Sequence, residues 1–159
     1  MTAAAPAENV VPFPSKDLKE SEKKWSKAVM KHGYCIFPSI LLQAQGRLGV
    51  NAQEMIVLLQ LAEHWWKASG QVFPSKEVIA QRIGLSTKQV QRHVKRLEEL
   101  KLVTRSPRYN SNGSQSSNLY DLQGLVDKLK SIEPDIAKVK ELKAEATKAG
   151  GLKAAMLKK

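Results

Sequence analysis

Cysteine is almost absent from this chain, and the single one, Cys35, excludes an intrachain disulfide and any zinc site built on several thiolates. That shortage suits a reducing compartment, so a cytoplasmic protein is expected. No apolar run approaches the length of a membrane-spanning helix, and residues 1–15 lack the basic-then-apolar order of a secretory signal. The expectation is a soluble protein with no membrane partner. Also missing are a phosphate-cradling glycine loop, metal-ligand spacing among His32, His64 and His93, and any nucleophile with recognisable partners. No enzyme, cofactor, metal or small-molecule effector is therefore expected, and Cys35 itself reads as a buried small apolar group. Acidic residues are the last shortage: 15 Asp and Glu stand against 26 Lys and Arg, a formal net charge of +11. Such a balance favours an anionic partner, nucleic acid before an acidic membrane surface.

What is present is enough apolar residue, 42% of the chain, to pack a core. At 159 residues this is one ordinary domain with extensions. Residues 1–14, rich in Ala and Pro, read as a flexible tail. Residues 15–50 read as an N-terminal helical arm followed by an extended segment. In the arm, Ser15 caps a helix to about Lys31, Leu18, Trp25, Ala28 and Val29 share one side, and Gly33 ends it. Lysines 19, 23, 24, 27 and 31 crowd the other side. The trio Phe-Pro-Ser occurs at Phe13, Phe37 and Phe73 with unrelated flanks, so it marks helix entrances capped by serine rather than a repeat.

Residues 51–122 are the organised part. Asn51-Ala52-Gln53-Glu54 has the form of a capping box and opens a helix through Trp66, apolar around most of its circumference. A helix of that kind is a core element or an interface; stacking of Trp65 and Trp66 on bases is the lesser alternative. Pro74-Ser75 opens a short helix from Lys76 to Ile83 with Val78, Ile79 and Ile83 inward. Gly84-Leu85-Ser86 is the turn: a left-handed glycine, a core plug and a cap. The next helix separates its faces. Val90, Val94, Leu97 and Leu100 keep the three-and-four spacing of a buried stripe, with His93 near that flank. Thr87, Lys88, Gln91, Arg92 and Lys95 fall opposite, all able to bond bases or phosphates. Leu102–Arg105 and Asn118–Leu122 then read as two strands around a polar loop.

Phe73-Pro74-Ser75, Ile79-Ala80, Gly84-Leu85-Ser86, Val90-Gln91-Arg92, Leu97-Glu98, Leu102-Val103 and Asn118-Leu119-Tyr120 resemble the bacterial winged helix-turn-helix domains of plasmid- and phage-associated regulators and replication proteins. The resemblance implies a mainly α fold with a small β-hairpin, a winged helix-turn-helix with N- and C-terminal helical extensions, and double-stranded DNA as partner. Two positions depart from the pattern: Gln89 stands where such domains often carry threonine, and Lys101 where glycine commonly ends the recognition helix.

On that reading Ser86, Thr87, Lys88, Gln89, Gln91 and Arg92 lie nearest the major groove, with Arg92 the first choice for an essential contact. Lys95 and Arg96 are nearer phosphate or solvent. Arg105, Arg108 and Asn112 are candidate minor-groove contacts of the hairpin loop, although Asn112-Gly113 also suits a turn with no other role. Residues 123–149 read as C-terminal helices, with a break at Pro134. Their heptad-like row of Leu125, Leu129, Ile132, Ile136, Val139 and Ala146 supplies either a homodimer contact or packing on its own domain. Residues 150–159 read as a basic tail. The expected function is sequence-specific DNA binding, as a transcriptional regulator acting as a dimer on an operator. A replication initiator or accessory protein is the alternative within DNA binding, and a protein-binding adaptor the alternative outside it.

Overall fold

The computed structural model describes residues 15–65 and 72–148, which fall into two compact units divided after Phe37. The expected tails at 1–14 and 150–159, and Trp66, lie outside the described residues.

In the first unit the sequence predicts one helix and the structure has two, α1 (Ser15–Trp25) and α2 (Lys27–Met30). Ser26 interrupts them with φ 70°, and its Oγ accepts from the Val29 N–H at 3.4 Å. The hydroxyl offers that amide a partner other than the helix ladder, which composition alone does not reveal. Trp25 and Val29 are exposed, Lys24 lies over the Trp25 ring, and Cys35 is exposed rather than buried.

The second unit begins with two short helices, α3 (Ser39–Gln43) and α4 (Gln45–Leu48), where an extended segment is predicted. Leu41, Ala44 and Leu48 are buried, so this stretch belongs to the core. Ser39 is the first helical residue here and Pro38 holds the cap position, whereas at Ser75 the serine caps its helix as expected, its Oγ accepting from Val78 N at 3.2 Å.

Helix α5 (Ala52–Glu63) opens on the predicted capping box: Asn51 Oδ1 accepts from Glu54 N, and Glu54 Oε2 from Asn51 N. Met55, Val57, Leu58 and Leu61 are buried. The helix stops at Glu63, short of the expected Trp66, because the His64 and Trp65 amides turn back to the carbonyls three residues earlier and tighten the last turn. Helix α6 (Lys76–Ile83) buries Ile79 and Ala80, but Val78 is 42% exposed. One position before Ile79, it is rotated some 100° off the inward row. Gly84, at φ 69°, ends α6 in the left-handed conformation that the turn requires.

Helix α7 (Thr87–Glu99) packs against α5 and α6 through Val90, His93, Val94 and Leu97. Strands β1 (Thr104–Ser106) and β2 (Leu119–Asp121) pair antiparallel with Arg105 opposite Tyr120. Both are shorter than predicted. Val72 adds a bridge on the far side, its carbonyl accepting from Tyr120 N at 2.7 Å. The order helix, helix-turn-helix and hairpin is a winged helix-turn-helix.

Helix α8 (Gln123–Lys148) is a single element and does not break at Pro134. Proline removes one bond, to the Lys130 carbonyl, and that residue is exposed where water can serve. The start of α8 is pressed onto the end of α7. A Cβ on Gly124 would stand 2.2 Å from the Lys101 carbonyl oxygen, and Leu125 N donates to Leu102 O. Leu125, Leu129 and Ile132 are buried against the domain. Farther along, Arg47 pairs with Asp135, and Val139 and Leu142 are 50% and 57% exposed.

Candidate nucleic-acid interface

The N-terminus of α7 is held by a second capping box, whose members lie three residues apart as the motif demands. Ser86 Oγ accepts from Gln89 N at 3.2 Å, while Gln89 Oε1 accepts from Ser86 N and from the Ser86 hydroxyl, each at 2.9 Å. The serine cap is the one expected from sequence; its glutamine partner is a further element, signalled by the Ser-x-x-Gln spacing. Burial of Val90, His93, Val94 and Leu97 fixes the rotation of α7, so the opposite face points outward by geometry.

That face forms a shallow groove lined by Ser86, Lys88, Gln89, Gln91, Arg92, Lys95 and Arg105. Seven of the residues singled out from sequence are thus brought together. Thr87 sits beside them, half-buried. Among the described residues Lys88, Arg92 and Lys95 form no ion pair, so their charges face solvent uncompensated. Arg96 instead pairs with Glu99 at 3.3 Å. Arg105 reaches the groove from β1 and pairs with Glu98 at 3.1 Å.

The other two candidates are elsewhere. Arg108 stacks its guanidinium over the Phe73 ring at 4.6 Å, a contact with no sequence signature because the partners are remote in the chain. Asn112 Oδ1 accepts from Ser114 N at 3.0 Å and Ser114 Oγ at 2.6 Å, holding the loop tip together beside Gly113 at φ 79°. The wing's large exposed side chain is Tyr109, 62% exposed and outside the residues expected from sequence. His93 is 5% exposed and packs in the row with Val90, Val94 and Leu97, and its Nε2 has no hydrogen-bond partner among the described residues.

No group of three or more His, Cys, Asp or Glu side chains that could hold a metal occurs among the described residues. Within the same residues no helix is long and apolar enough to cross a membrane.

Residues 48–103 match the family model of a helix-turn-helix domain. The match runs from the end of α4 through the turn and α7 to Val103, so every groove residue except Arg105 lies within the matched segment. No curated protein sequence matches the chain. Among solved structures, the chain is similar to a possible transcriptional regulator from Methanosarcina mazei, at 15% identity and a TM-score of 0.42, over 64% of this chain and 82% of that one. It is similar also to the N-terminal domain of the DnaD protein from Geobacillus kaustophilus, at 20% identity and a TM-score of 0.47, over 87% and 99% of the two chains. The YusO protein from Bacillus subtilis is similar at 18% identity and a TM-score of 0.37, over 90% and 99%.

Proposed function

We propose that this chain is a sequence-specific double-stranded DNA-binding protein, a cytoplasmic transcriptional regulator that occupies an operator as a homodimer. One observation carries the reading: the outward face of α7 in a helix-turn-helix domain gathers Lys88, Arg92 and Lys95, none in an ion pair among the described residues, with Gln89 and Gln91 beside them. The N-terminal end of such a helix enters the major groove, where Lys and Arg bond guanine or phosphate and Gln bonds adenine. A buried row of Val90, Val94 and Leu97 behind that face keeps the reading residues in fixed register.

A single domain of this size spans a short half-site, and two copies double the contacts. The second half of α8 leaves Val139 and Leu142 exposed among charges of both signs, Glu141 and Glu145 interspersed with Lys138, Lys140, Lys143 and Lys148. An exposed apolar edge flanked by charges of both signs suits pairing of two copies.

Footprinting of the protein on genomic DNA tests the function. Protection over promoters is the expected result. Protection over repeated origin sites would move the protein to replication, and no duplex bound better than bulk DNA at physiological salt would end the sequence-specific reading.

A further inference from the structure

We propose that Gln89 both caps α7 and reads a base, and that its capping duty restricts it to donating hydrogen bonds. The inference rests on the DNA-reading role of α7 given above and adds to it a base preference at one position.

Both lone pairs of Gln89 Oε1 are occupied, one by the backbone N–H of Ser86 and one by the Ser86 hydroxyl, each at 2.9 Å. A backbone N–H can only donate, so the atom facing it must be the carboxamide oxygen, and the orientation of the amide is fixed. The Nε2 amino group therefore points away from the cap. It has no protein partner among the described residues, and Gln89 lines the groove with Lys88, Gln91 and Arg92.

A glutamine free to use both ends of its amide pairs with adenine, accepting from N6 and donating to N7. Gln89 cannot do so without abandoning the cap. Its two amino hydrogens match an edge that offers acceptors, above all guanine with N7 and O6, and they oppose cytosine, which presents a donor. Gln91, two residues on, is exposed and makes no hydrogen bond among the described residues, so it keeps both ends of its amide for adenine. Two glutamines of identical chemistry thus acquire different preferences from their positions on one helix.

Gln89→Glu separates cap from reader. A carboxylate is ordinary at the N3 position of a capping box and favours a helix N-terminus, so the cap persists. The outward Nε2 becomes an acceptor oxygen, and the preferred base becomes a donor-bearing one. The experiment is selection of sites from a randomised duplex library by wild type, Gln89→Glu, Gln89→Met and Arg92→Ala, with thermal melting of each. The expected result is one position rich in guanine and poor in cytosine for wild type. In Gln89→Glu that position alone gains cytosine, affinity for the wild-type site falls roughly tenfold, and melting is unchanged or raised. Gln89→Met, of similar length without the amide, erases the preference there.

Wild-type sites bound by Gln89→Glu at wild-type affinity would overturn the proposal, as would uniform weakening with no change of base. Adenine at the affected position would show the amide leaving its cap, and would overturn it too. Enrichment of no sequence by wild type, with Arg92→Ala indistinguishable, would remove the DNA-reading role itself, whereas an Arg92 effect without a Gln89 effect removes only this inference.

Discussion

The exposed face of α7 and the wing both carry cations, yet those cations are used differently. On α7, Lys88, Arg92 and Lys95 stand clear of any acidic partner among the described residues. In the wing, Arg105 is bonded to Glu98, Arg108 lies on Phe73, and the Asn112 carboxamide oxygen closes its own turn. The difference follows from support. A capped helix with four buried residues holds its outward groups in place by its backbone, so its side chains are left over for other work. A two-stranded hairpin of three-residue strands is marginal alone, and its side chains are spent on holding it together.

The largest effects should separate the two regions by what they disturb. Arg92→Ala should weaken binding to a selected site by about 1–3 kcal/mol if it reads a base, with no change in melting temperature. Arg108→Ala should do the reverse, losing about 0.5–1 kcal/mol of stability with the Phe73 contact while affinity moves little. Titration of each variant against its site, beside a melting curve, decides it. An Arg108→Ala protein that melts normally but binds poorly would mean that Arg108 leaves Phe73 for phosphate, and the contrast between helix and wing would collapse.

Salt dependence sharpens the same contrast. Each phosphate neutralised contributes roughly 0.9 to the slope of log affinity against log salt. Lys88→Ala with Lys95→Ala should therefore flatten the slope by up to about 2. Arg108→Ala should leave the slope nearly unchanged. Equal losses would place the wing on the backbone as firmly as the helix.

Much of α7 was legible because its signals are local: the cap, the three-and-four spacing of Val90, Val94 and Leu97, and the outward cations all follow from positions within two turns. Whatever depends on residues distant in the chain was not. The Phe73 partner of Arg108, the Glu98 partner of Arg105 and the approach of Gly124 to the Lys101 carbonyl require the fold to exist first. Pro134 misled for a related reason, since helix breaking depends on whether the stranded carbonyl meets water or a core. Ser26 and the stop at Glu63 show that short-range hydrogen bonds can end a helix against the trend of composition.

The far end of α7 gives a smaller effect. Lys101 holds φ 57° where glycine is common, and Leu102 N reaches back to Leu97 O across it. A side chain in that left-handed region costs energy that glycine avoids, so Lys101→Gly should raise stability by about 1 kcal/mol in chemical denaturation. DNA affinity should hold, because Lys101 is not in the groove. A drop in affinity with the gain in stability would add Lys101 to the phosphate contacts and lengthen the reading surface by a turn.

The mildest prediction concerns the residue at which the two regions meet. Tyr120, buried under the wing opposite Arg105, has its phenol raised above the ordinary 10.0 by burial, against the lowering effects of an Asn118 hydrogen bond and the Arg105 charge. A raised folded value means that the folded state holds its proton after the unfolded chain has released it. Stability from this group is therefore complete below pH 10 and declines as pH climbs through the folded value. Tyr120→Phe should remove that alkaline decline while leaving the neutral range flat. Arg105→Ala should steepen the decline, because the cation that favours the phenolate is gone. If Arg105→Ala leaves the alkaline limb untouched but weakens DNA binding, Arg105 belongs to the groove of α7 more than to the wing in which its backbone lies.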